Sequence, residues 1–241
     1  MGKIAEQHDK ENLNNIAAYG GIYNRKVKRM IGFCLANFLL LLLMPLYFLI
    51  ATAIVIESGF PVFYRADRGG YQGKTFRIYK FRSMVQNAEQ IGGGTTALND
   101  NRITKVGSFL RKTKLDEIAQ LINIIRGEMC FVGPRPELLK YTNRYNNAEK
   151  SLLEVRPGIT DYSSLEFINL DEIVGVRNVD EVYETQVLKR KNQLRMKYAE
   201  TVSFKTDIKL FFQTIYMVIK KILRLFLHCE VLNGKGSFKE F

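Results

Sequence analysis

Histidine occurs only twice in the 241 residues, as His8 and His228, both near the ends. A Ser-His-Asp or Cys-His centre therefore has few places to form. Cysteine is as sparse. Cys34, Cys130 and Cys229 are an odd, widely spaced set without a Cys-x-x-Cys pair, which argues against a disulfide framework or structural zinc and fits a reducing compartment. Acidic residues are outnumbered, 24 Asp and Glu against 36 Lys and Arg, for a formal charge of +12. An anionic partner is expected. RNP, zinc-finger and homeodomain patterns are missing and the basic residues are scattered, so no nucleic acid is expected as that partner. The chemistry must run on carboxylates, lysine, arginine or a metal.

Charge is missing altogether from Ile31 to Ile56, where Asn37 and Thr52 are the polar side chains. The run exceeds the ~7–15 residues of a signal-peptide core, and no small-x-small site follows it. By length it could cross a bilayer, which takes about 20 apolar residues. Two features favour a re-entrant segment instead. Arg25, Lys26, Lys28 and Arg29 precede the run, and Arg65, Arg68, Lys74 and Arg77 follow it, so the positive-inside bias asks for the cytoplasm on both sides. Pro45 removes a helical hydrogen bond mid-run; the two halves reach roughly 20 Å and 17 Å, short of a ~30 Å core. A proline-kinked single crossing is the alternative.

The chain suits one domain plus this element. Residues 1–24 read as a polar extension, 25–60 as the re-entrant membrane segment, 61–228 as a cytoplasmic catalytic domain and 229–241 as a tail. Between Pro61 and Met84 the pattern turns strand-like. Tyr64 leads into a Gly69-Gly70 and Gly73 turn, and Phe76 to Arg82 alternates apolar and basic side chains, which predicts a β-hairpin. Gly92 to Thr96 is a loop by composition. Residues 202–228 predict a last helix with Ile208, Phe211, Phe212, Ile215, Ile219, Ile222 and Phe226 on one broad face. That face suits a membrane interface, or packing under a soluble core. The fold class is α+β and mainly helical: a monotopic membrane protein with a re-entrant segment, a small β-hairpin and amphipathic interfacial helices.

Lys114-Leu115-Asp116-Glu117 opens a second apolar-periodic stretch, with Leu115, Ile118, Ile122 and Ile125 on one face and Gly127 as its stop. Thr113 followed by Asp116 predicts a Thr-x-x-Asp helix start. Acids in a first turn are stabilised by about 0.3–1 kcal/mol, and the dipole would keep Asp116 ionised. This structural role is compatible with catalysis. Arg111 precedes the pair, and Arg135 is clamped between Pro134 and Pro136. An arginine with restricted backbone can be aimed at a phosphate at lower entropic cost.

Five motifs in order resemble the bacterial sugar transferases, the monotopic polyprenyl-phosphate phosphoglycosyl transferases. They are Lys80-Phe81-Arg82-Ser83-Met84, Asn101 to Gly107, Leu115-Asp116-Glu117, Val132 to Glu137, and Arg156-Pro157-Gly158-Ile159-Thr160. The resemblance covers about residues 25–160, with a weaker helical continuation. It implies a proline-broken re-entrant helix holding a catalytic domain on the cytoplasmic face of the bacterial inner membrane. It implies that Asp116 attacks the β-phosphate of a UDP-sugar, forming a phosphosugar–aspartate and releasing UMP. Polyprenyl (undecaprenyl) phosphate then takes the phosphosugar, a step that starts surface glycan assembly. Glu117 would join Asp116 in holding Mg²⁺ and help with the acceptor proton. Arg111, Arg135, Lys80, Arg82 and Arg102 would bind phosphate, with Glu137, Arg156 and Arg177 as further candidates. UDP-sugar, polyprenyl phosphate and membrane lipid are the implied partners.

The sequence departs from the family where Gly-Trp and Asn-Gly-Arg commonly follow Pro-Gly-Ile-Thr; here it reads Asp161-Tyr162-Ser163-Ser164-Leu165-Glu166-Phe167. Two other readings stay open on residues alone: a basic membrane-surface scaffold in which the acids only start a helix, and a membrane-bound phosphohydrolase using the same groups.

Overall fold

The computed structural model describes residues 21–92, 94–97 and 99–234. Most of the expected N-terminal extension, Gly93 of the glycine loop, and the tail beyond Gly234 lie outside these residues.

The apolar run forms two helices, α1 (Lys28–Leu42) and α2 (Met44–Ser58), bent by 63° at Leu43. Pro45 sits in the first turn of α2, where its missing N–H costs no helical hydrogen bond. No single helix among the described residues is long and apolar enough to cross a membrane; the bent pair together meets the length and composition. Gly32, Ala36, Tyr47, Ile50 and Ile54 are buried against the domain, a spacing of three to four residues that marks one helical face. The remaining surface carries Phe38, Leu41, Leu42, Phe48, Leu49 and Ile56, each more than 60% exposed. Such a contiguous apolar surface marks an interaction site.

Two polar ties fasten this pair to the domain. Arg29 donates to Ile124 O and Ile125 O, both at 2.7 Å, satisfying carbonyls at the end of a later helix. Glu57 accepts from Lys105 N at 2.7 Å and Val106 N at 3.0 Å, in the first turn of α3 (Lys105–Thr113). A carboxylate at those orphan N–H groups is favoured by both hydrogen bonding and the helix dipole.

The predicted hairpin is present. β1 (Phe63–Gly69) pairs antiparallel with β2 (Thr75–Phe81), with Tyr64 opposite Lys80 and Asp67 opposite Arg77. Side chains alternate across a strand, so Lys80 shares the inward face of Phe76 and Ile78. Arg77 stands on the other face, where it pairs with Asp67 at 3.2 Å.

The apolar-periodic stretch after Lys114 is not one helix from Thr113. Thr113 ends α3, and its hydroxyl donates back to Phe109 O, so it caps nothing. Lys114 then takes the left-handed region at φ 61°, ψ 15°, a conformation uncommon outside glycine. A 3₁₀ turn follows over Leu115–Gln120, and α4 occupies only Leu121–Arg126. Gly127 closes it at φ 82° as expected. The fully buried Asn123 of α4 accepts from Tyr79 N at 2.9 Å and donates to Arg77 O at 2.8 Å. It serves as a partner for the free edge of β2 and fixes the acid-bearing turn against that strand.

A second sheet was not predicted. β3 (Cys130–Val132) and β4 (Gly158–Thr160) form a short parallel pair, Cys130 opposite Gly158 and Val132 opposite Thr160. It juxtaposes the Gly-Pro-Arg-Pro and Pro-Gly-Ile-Thr motifs. The approach needs glycine on both sides: a Cβ on Gly158 would meet Gly133 N at 2.1 Å, and one on Gly133 would meet Arg156 O at 2.4 Å.

After β4 come the short helix α5 (Tyr162–Glu166), then α6 (Leu188–Glu200) and the long α7 (Phe204–Gly234). α7 buries Leu210 on the core, and its Thr214 hydroxyl lies 2.7 Å from that of Thr160. Phe212, Tyr216, Ile219 and Leu223 remain exposed along it. The side chain of Phe226, expected on the same face, lies outside the described residues.

Candidate active site

A cavity of about 1030 Å³ opens between β2, α3, the 3₁₀ turn, the loop after β3, α5 and α7, at the upper end of the usual range for ligand pockets. Lys80, Arg111, Glu117, Arg135 and Glu137 line it, so five of the expected site residues are brought together; Asp116 is buried beside Glu117 and is not part of the lining.

Glu117 is the hub. Its Oε1 accepts from Arg135 Nη2 at 2.5 Å and from Lys80 Nζ at 3.3 Å. Burial alone would raise its carboxyl; the charges of Arg135 and Lys80 outweigh that and hold it well below the usual carboxylate range. Asp116 behaves oppositely. It is 5% exposed, and its Oδ1 has neither a hydrogen-bond partner nor contact with solvent. Burial pushes its carboxyl up, against the pull of Lys80, and the Glu117 charge adds to the rise. The expected dipole stabilisation of an ionised Asp116 is thus outweighed, because a single 3₁₀ turn offers little dipole and the desolvation is large. Two adjacent carboxylates with pKa values driven apart are the usual mark of divided roles. Lys80 is itself pushed below its ordinary range by burial, with Glu117 opposing.

No cluster of three or more Asp, Glu, His or Cys side chains that could hold a metal exists among the described residues. Asp116 and Glu117 offer two carboxylates. Oδ1 of Asp116 is unpartnered, and both bonds to Glu117 fall on its Oε1. That donor set fits Mg²⁺, which is commonly held by one or two carboxylates together with substrate phosphates and water.

Four other expected phosphate ligands lie outside the cavity lining, three of them held by other groups. Arg82, past the end of β2, donates to Ser58 O at 2.9 Å, Ser58 Oγ at 2.7 Å and Gly59 O at 2.6 Å, capping α2. Arg102 grips Asp100 at 2.9 and 2.6 Å and reaches Ala88 O, stapling its own loop. Arg156 stacks over Tyr71 at 4.6 Å. Arg177 is exposed outside the cavity. Glu137 does reach the cavity wall, but its carboxylate is held by Arg195 at 2.6 Å, by Lys191 at 3.6 Å and by the Tyr183 hydroxyl.

Sequence reasoning missed Arg195, Lys191 and Tyr183, which line the wall behind Arg135, and it left Asp161 without a role. Asp161 is fully buried, accepts from Arg135 N at 3.2 Å, and caps α5 through Ser164 N at 2.7 Å. An Asp immediately before Tyr162-Ser163-Ser164-Leu165-Glu166 is an N-cap signal that was there to be read.

A family profile described as bacterial sugar transferase matches residues 23–221. The chain is 35% identical over 198 residues to a UDP-glucose:undecaprenyl-phosphate glucose-1-phosphate transferase of Escherichia coli (strain K12), covering 80% of this chain and 40% of that protein. It is 34% identical over 167 residues to a UDP-N-acetylgalactosamine-undecaprenyl-phosphate N-acetylgalactosaminephosphotransferase of Aeromonas hydrophila, covering 68% and 39%. The exopolysaccharide production protein ExoY of Sinorhizobium fredii is 34% identical over 203 residues, covering 78% of this chain and 83% of that one. The chain thus spans about 40% of the length of the first two relatives and most of the third.

Proposed function

Because this chain belongs to the bacterial sugar transferase family, we propose that it moves a sugar-1-phosphate from a UDP-sugar to polyprenyl phosphate and releases UMP. The observation that carries the reading is the Glu117–Arg135–Lys80 cluster on the wall of one large cavity, next in the chain to a buried Asp116 whose Oδ1 has no partner.

The reaction divides into two displacements at one phosphorus. In its ionised form, which Lys80 favours against the burial, Asp116 attacks the β-phosphorus of the donor through a carboxylate oxygen; the bond from that phosphorus to the bridging oxygen breaks, and UMP leaves with the electron pair. An oxygen of polyprenyl phosphate then attacks the same phosphorus, the acyl-phosphate bond breaks, and Asp116 is regenerated with polyprenyl-diphosphate sugar as product. Splitting the transfer lets a water-soluble donor and a lipid acceptor use one site in turn. Arg135, Lys80 and Arg111 supply positive charge where the equatorial phosphoryl oxygens accumulate negative charge. Glu117 orients Arg135 and Lys80; with its carboxyl held well below the usual range it is a weak base, and the acceptor phosphate, whose second pKa lies at about 6, enters largely ionised. Asp116 and Glu117 would hold Mg²⁺, whose chemistry when bound is charge neutralisation on the donor diphosphate.

The bent α1–α2 pair serves as a re-entrant anchor on the cytoplasmic face. Its exposed apolar surface and the basic flanks on both sides support that placement, and the exposed apolar residues of α7 suit the same interface. Single cysteines introduced at the exposed positions 25 and 65, with the exposed Cys34 replaced, are expected to react with an impermeant reagent from the same side of the membrane; opposite sides would restore a single crossing.

Nucleotide release tests the reaction itself. Detergent-purified protein with Mg²⁺, undecaprenyl phosphate and a panel of UDP-sugars is expected to yield UMP with at least one donor. UDP in its place would mean ordinary glycosyl transfer. UMP formation that ignores added polyprenyl phosphate at steady state would mean hydrolysis.

A further inference from the structure

Arg135 is held at three points. Its guanidinium donates to Glu117 at 2.5 Å and to Ile159 O at 2.8 Å, and its backbone N–H donates to Asp161 Oδ2 at 3.2 Å. The third point stands apart, because the proline on each side leaves the 135 N–H as a main-chain donor of this loop that can fix its local path. Asp161 is fully buried, and its other oxygen is saturated: Oδ1 accepts from Ser164 N at 2.7 Å and from the hydroxyls of Ser163 and Ser164 at 2.8 Å each. One carboxylate therefore joins the arginine loop to the first turn of α5, and Ser163 and Ser164 of that turn line the same cavity.

We propose that Asp161 is a positioning residue for donor binding: its Oδ2 sets the backbone at residue 135 and thereby aims the guanidinium at the donor diphosphate. This rests on the function proposed above. The arrangement answers a question that capping alone does not. A serine or asparagine would cap α5 as well as an aspartate, but here the two main-chain donors reach two different oxygens, Ser164 N to Oδ1 and Arg135 N to Oδ2, and of these side chains the carboxylate alone presents two acceptor oxygens.

Two substitutions separate the roles. Asp161→Asn retains a single acceptor oxygen, which can serve Ser164 N or Arg135 N and not both. Asp161→Ser keeps a capping oxygen for Ser164 N and has none that reaches residue 135, so it reports even where the asparagine variant does not fold. In the folded variants, KM for the UDP-sugar is expected to rise about tenfold, the loss of roughly one well-made hydrogen bond to the binding geometry. A smaller folded fraction would lower apparent kcat and leave KM in place. In an Arg135→Ala background the same substitutions are expected to move KM by less than about twofold, since a residue acting only through Arg135 has nothing left to aim. An unchanged KM in the folded single variants, or an equal rise in the Arg135→Ala background, overturns the positioning role. Wild-type turnover is read first in the same assay: with no UMP from any UDP-sugar, the proposed reaction fails and this inference with it. With wild-type UMP present and the variant KM unmoved, the role of Asp161 alone fails.

Discussion

Asp116→Asn is expected to lower UMP release from the preferred UDP-sugar by at least about a thousandfold, the scale on which removing a covalent nucleophile acts. The fold should survive the change. Asp116 is buried, its Oδ1 accepts no hydrogen bond, and burial already pushes its carboxyl toward the neutral form. A neutral side chain of the same shape removes a charge that costs free energy to desolvate, so the thermal midpoint is expected to hold or rise. Loss of turnover with stability kept separates this reading from a membrane-surface scaffold. There the acid pair would only shape a helix turn, and its loss would alter melting and no reaction. Full turnover in Asp116→Asn would exclude the covalent aspartate.

The second large effect is on stability. Arg195 is 1% exposed and donates to Glu137 at 2.6 Å and to Asn192 Oδ1 at 3.0 Å. Removing one partner of a buried pair typically costs about 3–5 kcal/mol; here it would leave Glu137 with the more distant Lys191 at 3.6 Å and the Tyr183 hydroxyl. Arg195→Met is therefore expected to lower the thermal midpoint by roughly 6–20 °C, at about 2–4 °C per kcal/mol for a domain of this size. The pH dependence gives a check on the cause. Burial alone would raise the Glu137 carboxyl, but Arg195 and Lys191 bring it down to about 2 in the folded protein. Its unfolded value lies near the ordinary glutamate range of about 4.3. A depressed folded pKa contributes stability that is fully present above the unfolded value and is lost as pH falls toward 2. Without Arg195 the folded pKa moves up, so that contribution shrinks at neutral pH. A melting series from pH 7 to pH 3 should show a steep acid limb in the wild type and a shallower one in the variant; parallel curves would mean that Glu137 is not held by Arg195.

Local pattern carried some site residues and failed for others on identifiable grounds. Strand alternation puts Lys80 on the Phe76–Ile78 face, and that is where it meets Glu117. A break near Pro45 was legible because proline starts a helix more readily than it continues one; it falls at Leu43, with Pro45 in the first turn of α2 rather than interrupting a helix. Arg82 sits one residue past β2 and turns to the α2 carbonyls, a partner chosen by tertiary packing rather than by strand register. Arg102 was legible in principle, since Asp100-Asn101-Arg102 sets an acid two residues away in a loop. The parallel β3–β4 pair was not. Strands of three residues carry no measurable period, and their contact is reported only by Gly133 and Gly158, where a Cβ would collide. Arg195 lies in a run of basic and polar residues that reads as a solvated helix face, while its carboxylate partner stands 58 positions earlier. Charge pairing at that separation leaves no trace in a local window.

The family motifs brought Lys80, Glu117, Arg111 and Arg135 to one cavity, with Asp116 buried in the turn next to Glu117. The departure after Thr160 made the Asp161 cap legible but not its second tie. Its content, a buried aspartate tied to two segments, appears once β3 and β4 are seen to pair.

The most direct measurement is to incubate the purified protein with the preferred UDP-sugar carrying ³²P in the β-phosphate, without acceptor, and to follow the label. Label retained on the peptide that contains Asp116, one UMP released per label bound, and discharge on adding polyprenyl phosphate is the expected result. UMP released only when polyprenyl phosphate is present, with no label on the protein at any time, would contradict a two-step transfer through Asp116.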